Sequence, residues 1–157
     1  LLTPTAQLGE HTLISRLGPE PLSEDFNSEY LYQQLKRRTA PVKNVMMDQA
    51  VVVGVGNIYA NEALFRAGVR PTRAANKVTK TEAMNLFIAI QAVLHEAIAA
   101  GGTTLRDYVQ ADGALGYFHE QFKVYDRAEE PCYTCGDLIQ RTVVGQRGTF
   151  YCPSCQS

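Results

Sequence analysis

The 157-residue sequence lacks any uninterrupted apolar run approaching the roughly 18 residues that a membrane span requires. Its first residues, Leu1-Leu2-Thr3-Pro4, lack the basic-then-apolar pattern of a signal peptide. Together these absences predict a soluble, cytosolic chain without a membrane partner. No internal repeat or low-complexity stretch is present, and 45% hydrophobic against 20% charged residues argues for a packed core rather than a disordered tail. Net charge is nearly missing too: 15 Lys and Arg against 16 Asp and Glu give −1. At face value that excludes a strongly basic nucleic-acid binder. Cysteine is absent until Cys132, so the four present are confined to the last 26 residues. The length accommodates one domain or two small ones.

The near-zero charge conceals a polarised chain. Residues 1–30 carry a net −4, residues 31–80 a net +7, and residues 81–157 a net −4. The middle block contains Lys36, Arg37, Arg38 and Lys43, and a concentrated basic stretch is compatible with a phosphate-backbone footprint as well as with a solvated helix face.

Periodicity predicts mainly helices. Ser23 reads as the N-cap of a helix carrying Phe26, Tyr30, Leu31 and Leu35 and ending at Arg37-Arg38. Pro41 opens a short helix through Met47, after which Ala50 to Val53 leads into Gly54-Val55-Gly56-Asn57. Asn57 is expected to cap a third helix that bears Ile58, Ala60, Leu64 and Phe65 and stops at Gly68. Thr79-Lys80-Thr81-Glu82 has capping-box spacing and starts the longest periodic segment, which Gly101-Gly102 ends. Thr103 to about Tyr125 reads as a loop with short elements.

The strongest single signal is Cys132-x2-Cys135, 16 residues, then Cys152-x2-Cys155. Each short pair can chelate one side of a tetrahedral ion while the residues between fold back, so the pattern predicts one structural zinc ion. Two disulfides or four uncoordinated thiols are the alternatives; the absent secretory signal and the small hydrophobic complement of this segment favour zinc. Leu138 to Val144 and Thr149 to Cys152 read as paired strands, with Gly145-Gln146-Arg147-Gly148 at the turn. Arg147 is then a hairpin-tip cation, or simply a solvated turn residue.

Glycines before a helix suggest phosphate binding, because helix N-termini present unpaired N–H groups and a positive dipole. The dinucleotide fingerprint is excluded: there is no third glycine, no acid about twenty residues on, and no flanking strand pattern. A tight helix–helix turn and a helix-turn-helix device clamping a DNA backbone both remain open on this motif alone.

The run from Lys43 through Met47-Asp48-Gln49 and Val52-Val53-Gly54-Val55-Gly56-Asn57-Ile58-Tyr59-Ala60-Asn61-Glu62 resembles the helix-two-turn-helix motif of formamidopyrimidine-DNA glycosylases. The likeness continues through Gly101-Gly102-Thr103-Thr104-Leu105-Arg106-Asp107, Gly116-Tyr117-Phe118 and Gln146-Arg147-Gly148-Thr149-Phe150-Tyr151-Cys152, covering nearly the whole chain. It implies a bifunctional base-excision-repair enzyme that removes oxidised purines such as 8-oxoguanine and formamidopyrimidines from damaged double-stranded DNA and then nicks the abasic strand. The target base is flipped out of the duplex for such chemistry. By resemblance, Asn57 and Arg147 grip phosphates flanking the lesion, and Arg147 is the catalytic candidate, as a proton donor in the second elimination step. Lys43, Gly56, Tyr59, Arg38 and Thr39 join the DNA-binding set, and Thr103 and Thr104 belong to the cover over the flipped base.

One departure from the family pattern stands out. The family nucleophile is an N-terminal proline amine followed by a glutamate, in a β-rich domain, whereas this sequence starts Leu1-Leu2-Thr3. An amine must attack C1′ to form the Schiff base, which suits an α-amino group of pKa about 8 better than an ordinary lysine. The sequence is therefore expected to be a C-terminal portion: a helical helix-two-turn-helix domain over 1–125 and a zinc-finger β-hairpin over 126–157, inactive alone. A monomer in the bacterial cytoplasm, associated with the nucleoid, is the matching expectation. The competing reading, a zinc-ribbon protein-interaction module, rests on the four cysteines alone.

Overall fold

The computed structural model describes residues 17–99 and 122–157. They form four α-helices, one 3-10 turn and a two-stranded antiparallel hairpin, so the mainly helical reading with an appended cysteine hairpin holds. Gly101-Gly102, Thr103, Thr104 and the expected loop up to residue 121 lie outside the described residues.

Helix α1 spans Ser28–Lys36, and its N-cap is Asn27, whose side chain accepts from the Tyr30 N–H at 2.9 Å. Ser23, expected in that role, instead folds a preceding turn, its hydroxyl donating to Glu20 O at 2.7 Å. Both residues are good caps, and the one adjacent to the buried Leu31 and Leu35 stripe wins. The short helix expected from Pro41 through Met47 is α2, Val42–Met46, with Pro41 and Met47 as its caps rather than its first and last residues. Asp48 then organises the descent: its carbonyl accepts from Val51 and Val52, and its carboxylate accepts from Ala50 N at 2.9 Å.

Helix α3, Asn57–Ala67, is capped by Gly56, so Asn57 is the first helical residue and not the cap. This one-position shift leaves the Asn57 amide available for tertiary bonds. Gly68 closes the helix in the left-handed conformation at φ 76°. The 3-10 turn Ala75–Lys77, unforeseen in the sequence, packs against α1 and α2. Helix α4, Lys80–Ala99, starts with the predicted capping box: Glu82 N donates to Thr79 Oγ1 at 3.1 Å and Thr79 N to Glu82 Oε1 at 3.0 Å. This 20-residue helix is long and apolar enough to cross a membrane, contrary to the reading of the sequence. Its Ala83, Leu86, Ala89, Ile90, Val93, Leu94 and Ala97 are instead buried in a core shared with α1 and α3.

Strands β1, Gln140–Val144, and β2, Arg147–Tyr151, pair with Val144 opposite Arg147. The turn is therefore two residues, not four. Gly145 at φ 59° and Gln146 at φ 65° both adopt the left-handed conformation that matches strand twist in such hairpins. Beneath the hairpin, Val124, Cys132, Ile139, Phe150 and Cys152 form a second small core against which Phe65 of α3 packs. Tyr125 bridges the two cores, meeting Phe150 and Phe122 edge-on.

Candidate nucleic-acid interface and metal centre

The polar face of α3 fastens the hairpin to the helices. Asn61, with no exposed surface, accepts from Phe150 N at 2.7 Å and donates to Asn57 O at 2.8 Å. The Glu62 carboxylate accepts three backbone N–H groups, from Lys123 at 2.8 Å, Val124 at 3.0 Å and Tyr125 at 2.8 Å. Gln156, also fully buried, accepts from Cys152 N at 2.8 Å and donates to Val69 O at 2.9 Å. Burial of these groups is tolerated because each is hydrogen-bonded. In the sequence Asn61 and Glu62 stand out only as part of the glycine-turn motif, and Gln156 carries no signal of its own. Polar residues on an otherwise apolar helix were the available signal for the first two.

At the N-terminus of α3, the same fastening brings three predicted residues together. Asn57 Nδ2 donates to Gly148 O at 3.1 Å, and Lys43 Nζ donates to Asn57 Oδ1 at 2.6 Å. Lys43 is fully buried; that burial, and then the charge of nearby Arg147, lowers its pKa to about 8. Arg147 is exposed at the first position of β2, and among the described residues nothing pairs with its guanidinium. It lines a cleft of about 350 Å³ with Asn44, Met47, Asp48, Val144 and Gly145. Gly56 offers open space where a side chain would be, so neither crowding nor backbone conformation requires glycine there; a close external partner would.

Other predicted residues lie further off. Arg38 and Thr39 line a second cleft of about 420 Å³ that shares Asn44 and Asp48 with the first. The Arg38 guanidinium bonds Gln34 O and Oε1, both at 2.8 Å, closing the end of α1. Tyr59 is only 2% exposed and sits in the helical core. The structure also thins the basic block. Arg66 forms a two-pronged ion pair with Glu96, Arg70 holds the carbonyls of Pro153 and Gln156, and Arg73 holds Glu82 and the Ser157 carbonyl. Arg37, Arg38 and Arg147 supply the cationic rim of the adjoining clefts.

All four cysteine sulfurs lie within 4.8 Å of one another, with Cys132 to Cys155 at 3.8 Å and Cys135 to Cys152 at 3.4 Å. Tetrahedral zinc with bonds of about 2.3 Å requires sulfurs roughly 3.8 Å apart. The separations far exceed the about 2.05 Å of a disulfide. Backbone N–H groups of Thr134 and Cys155 point at Cys132 and Cys152 sulfurs at 3.4 Å each, which favours thiolates. Burial, and then the neighbouring thiols, push the Cys155 thiol far above its ordinary range, so a cation is needed for four thiolates to coexist. The donor set fits zinc.

Comparison with known proteins converges on one answer. The model for the formamidopyrimidine-DNA glycosylase H2TH domain matches residues 17–109. This chain belongs to the formamidopyrimidine-DNA glycosylase family. A zinc finger found in FPG and IleRS matches residues 129–157, in agreement with the cysteine geometry. The formamidopyrimidine-DNA glycosylase of Neisseria meningitidis is 56% identical over 146 residues, covering 93% of this chain and 53% of that protein. That of Hahella chejuensis is 51% identical, covering 99% and 57%. The chain thus spans about half the length of the relatives it matches. The crystal structure of the Thermus thermophilus family member superimposes with a TM-score of 0.81 at 47% identity, covering 94% of this chain and 56% of that one. The Lactococcus lactis family member in complex with DNA containing an abasic site gives 0.81 at 33%, covering 98% and 55%.

Proposed function

We propose that this formamidopyrimidine-DNA glycosylase chain is the DNA-gripping C-terminal part of a bifunctional glycosylase/AP lyase acting on oxidised purines in duplex DNA. The observation that carries the reading is the meeting of buried Lys43, the Asn57 amide and exposed Arg147 at the start of a helix that no side chain caps. Such a site combines helix N–H groups, a dipole and two cations, which suits a phosphate rather than a neutral ligand. The DNA complexes of the Lactococcus lactis relatives support the same ligand class.

In this reading Asn57 and Arg147 hold phosphates beside the lesion, and the open space at Gly56 lets the backbone approach the strand. Lys43 adds charge from behind, Arg38 and Thr39 extend the track along the second cleft, and Tyr59 supports the helix from the core. Thr103 and Thr104 complete the DNA-contacting set. Gripping both sides of one nucleotide stabilises a kinked duplex with the base extruded. Arg147, close to the held strand, is the proposed proton donor for the elimination that follows base removal. The amine nucleophile is assigned to the parent protein outside this stretch, so these residues alone grip DNA without excising a base. One zinc ion on Cys132, Cys135, Cys152 and Cys155 would hold the hairpin that carries Arg147; four thiolates leave no position for substrate, so its role is structural. We divide the chain into a helical domain, 1–125, and a zinc hairpin, 126–157, working as a monomer in the bacterial cytoplasm near the nucleoid. A zinc-ribbon protein-interaction module would leave the Lys43, Asn57 and Arg147 cluster without a purpose.

The test is anisotropy titration of a labelled duplex containing an abasic-site analogue, from 50 to 200 mM salt. Affinity should fall steeply with salt, and Arg147→Ala and Asn57→Ala should each weaken it. Salt-independent binding, or titrations of both variants that overlay the parent, would overturn the grip.

A further inference from the structure

An asparagine amide has two chemically different ends, and in this structure each end faces a group that accepts only one of them. The Lys43 ammonium has three donors and no acceptor, and it holds Asn57 Oδ1 at 2.6 Å. The Gly148 carbonyl only accepts, and it takes the Asn57 Nδ2 hydrogen at 3.1 Å. Flipping the amide would set donors against donors at one end and oxygen against oxygen at the other. Fourteen residues separate Lys43 from Asn57 and 91 separate Asn57 from Gly148, so this short relay joins α2, α3 and β2. Gly148 immediately follows Arg147.

We propose that Lys43 is a positioning residue: its ammonium locks the polarity of the Asn57 amide and thereby seats the hairpin, with Arg147, against the start of α3. The consequence for DNA rests on the proposed grip; the lock itself does not. A neutral amine carries a lone pair beside its two donors and tolerates either amide orientation, so deprotonation releases the Lys43 end of the lock and leaves the Gly148 carbonyl alone to hold the amide's polarity. The pKa of about 8, set by burial and then by Arg147, brings that change within reach of ordinary buffers. The elements packed around Lys43 offer few other charges. On α3, Glu62 bonds backbone N–H groups and Arg66 pairs with Glu96; on the 3-10 turn, Lys77 is exposed; at the end of its own helix, the Asp48 carboxylate accepts from Ala50 N. A phosphate docking at Arg147 would draw the proton onto Lys43, so binding and protonation should be linked.

The experiment follows the Asn57 side-chain NH2 signals of the zinc-loaded chain by 15N NMR between pH 6 and 10. They should shift with one midpoint near 8, and that midpoint should vanish in Lys43→Met and in Lys43→Arg. In parallel, a duplex carrying an abasic-site analogue is titrated at pH 7. Lys43→Met and Asn57→Ala should each weaken binding about ten- to hundredfold, the double variant should lose no more than the worse single one, and Lys43→Arg should restore most of the affinity. Additive losses, or an Asn57 signal indifferent to Lys43→Met, would show that Lys43 acts directly and overturn the proposal. Should Lys43→Met fail to fold, the absence of an Asn57 midpoint between pH 7 and 9 in the parent chain overturns it equally. A normal Asn57 midpoint with no loss of DNA affinity in either single variant would retain the lock and remove the grip.

Discussion

Replacing Glu62 by glutamine changes one oxygen for an NH2 group at the point where α3 holds the chain entering the hairpin. In the parent, Oε2 accepts from both Val124 N and Tyr125 N, while Oε1 accepts from Lys123 N alone. Glutamine will orient its remaining oxygen toward the two N–H groups it can satisfy, leaving its NH2 against the Lys123 N–H. The cost is one lost charge-assisted bond, about 1.5–3 kcal/mol, plus weakening of the other two as the acceptor becomes neutral. With Glu62 only 2% exposed, water does little to compensate. A total of roughly 3 kcal/mol corresponds to a melting temperature lower by about 6–12 °C at this chain length. Thermal unfolding with zinc present measures the shift, and amide hydrogen exchange locates it. Lys123 should lose protection while Val124 and Tyr125 keep most of theirs. Melting within 1 °C of the parent, with all three amides equally protected, would refute the account of Glu62 as the clamp between α3 and the hairpin.

Zinc removal by a strong chelator should abolish the protection of Phe150 and Cys152 amides but leave that of the α4 core, and metal analysis should find about one zinc per chain; a hairpin that stays protected without metal contradicts the site. Glu82 is held down to about 2 by its Arg73 bond and the Thr79 N–H. The stability it contributes should therefore be complete above pH 4.5, its ordinary value, and be lost as pH falls toward 2; Glu82→Gln should flatten that part of the acid-unfolding curve. At the hairpin tip, a Cβ on Gly145 would lie 2.7 Å from Asn44 Oδ1 with φ at +59°. Gly145→Ala should accordingly cost about 1–2 kcal/mol in chemical denaturation and push the tip away from α2; unchanged denaturation would argue that the turn adapts.

Much of the fold was legible because it is written in short-range patterns. The capping box from Thr79 to Glu82, the helix start after Pro41 and the stop at Gly68 each depend on residues within one turn of one another. The CxxC pairs were legible for the same reason. The structure departs by one to four positions where neighbouring choices have similar local energies: Asn27 rather than Ser23 as cap, Gly56 rather than Asn57, and a two-residue rather than a four-residue hairpin turn. The last two shifts matter for the site. They make Asn57 a helical residue whose amide bonds Lys43 and Gly148 instead of capping the helix, and Arg147 a strand residue whose neighbour offers its carbonyl.

By itself, then, the sequence determined a helical chain with a chelating hairpin and a basic middle, because helix periods, caps and cysteine spacing are local properties. Only the tertiary structure decided which charges remain available for a ligand, since Arg66, Arg70 and Arg73 find partners 9 to 86 residues away. It also decided that Lys43, Asn57 and Gly148 form one relay. A hydrogen bond between groups 91 residues apart leaves no periodic trace in the chain; it exists because Asn61, Glu62 and Gln156 dock the hairpin against α3, leaving buried polar groups no other partners.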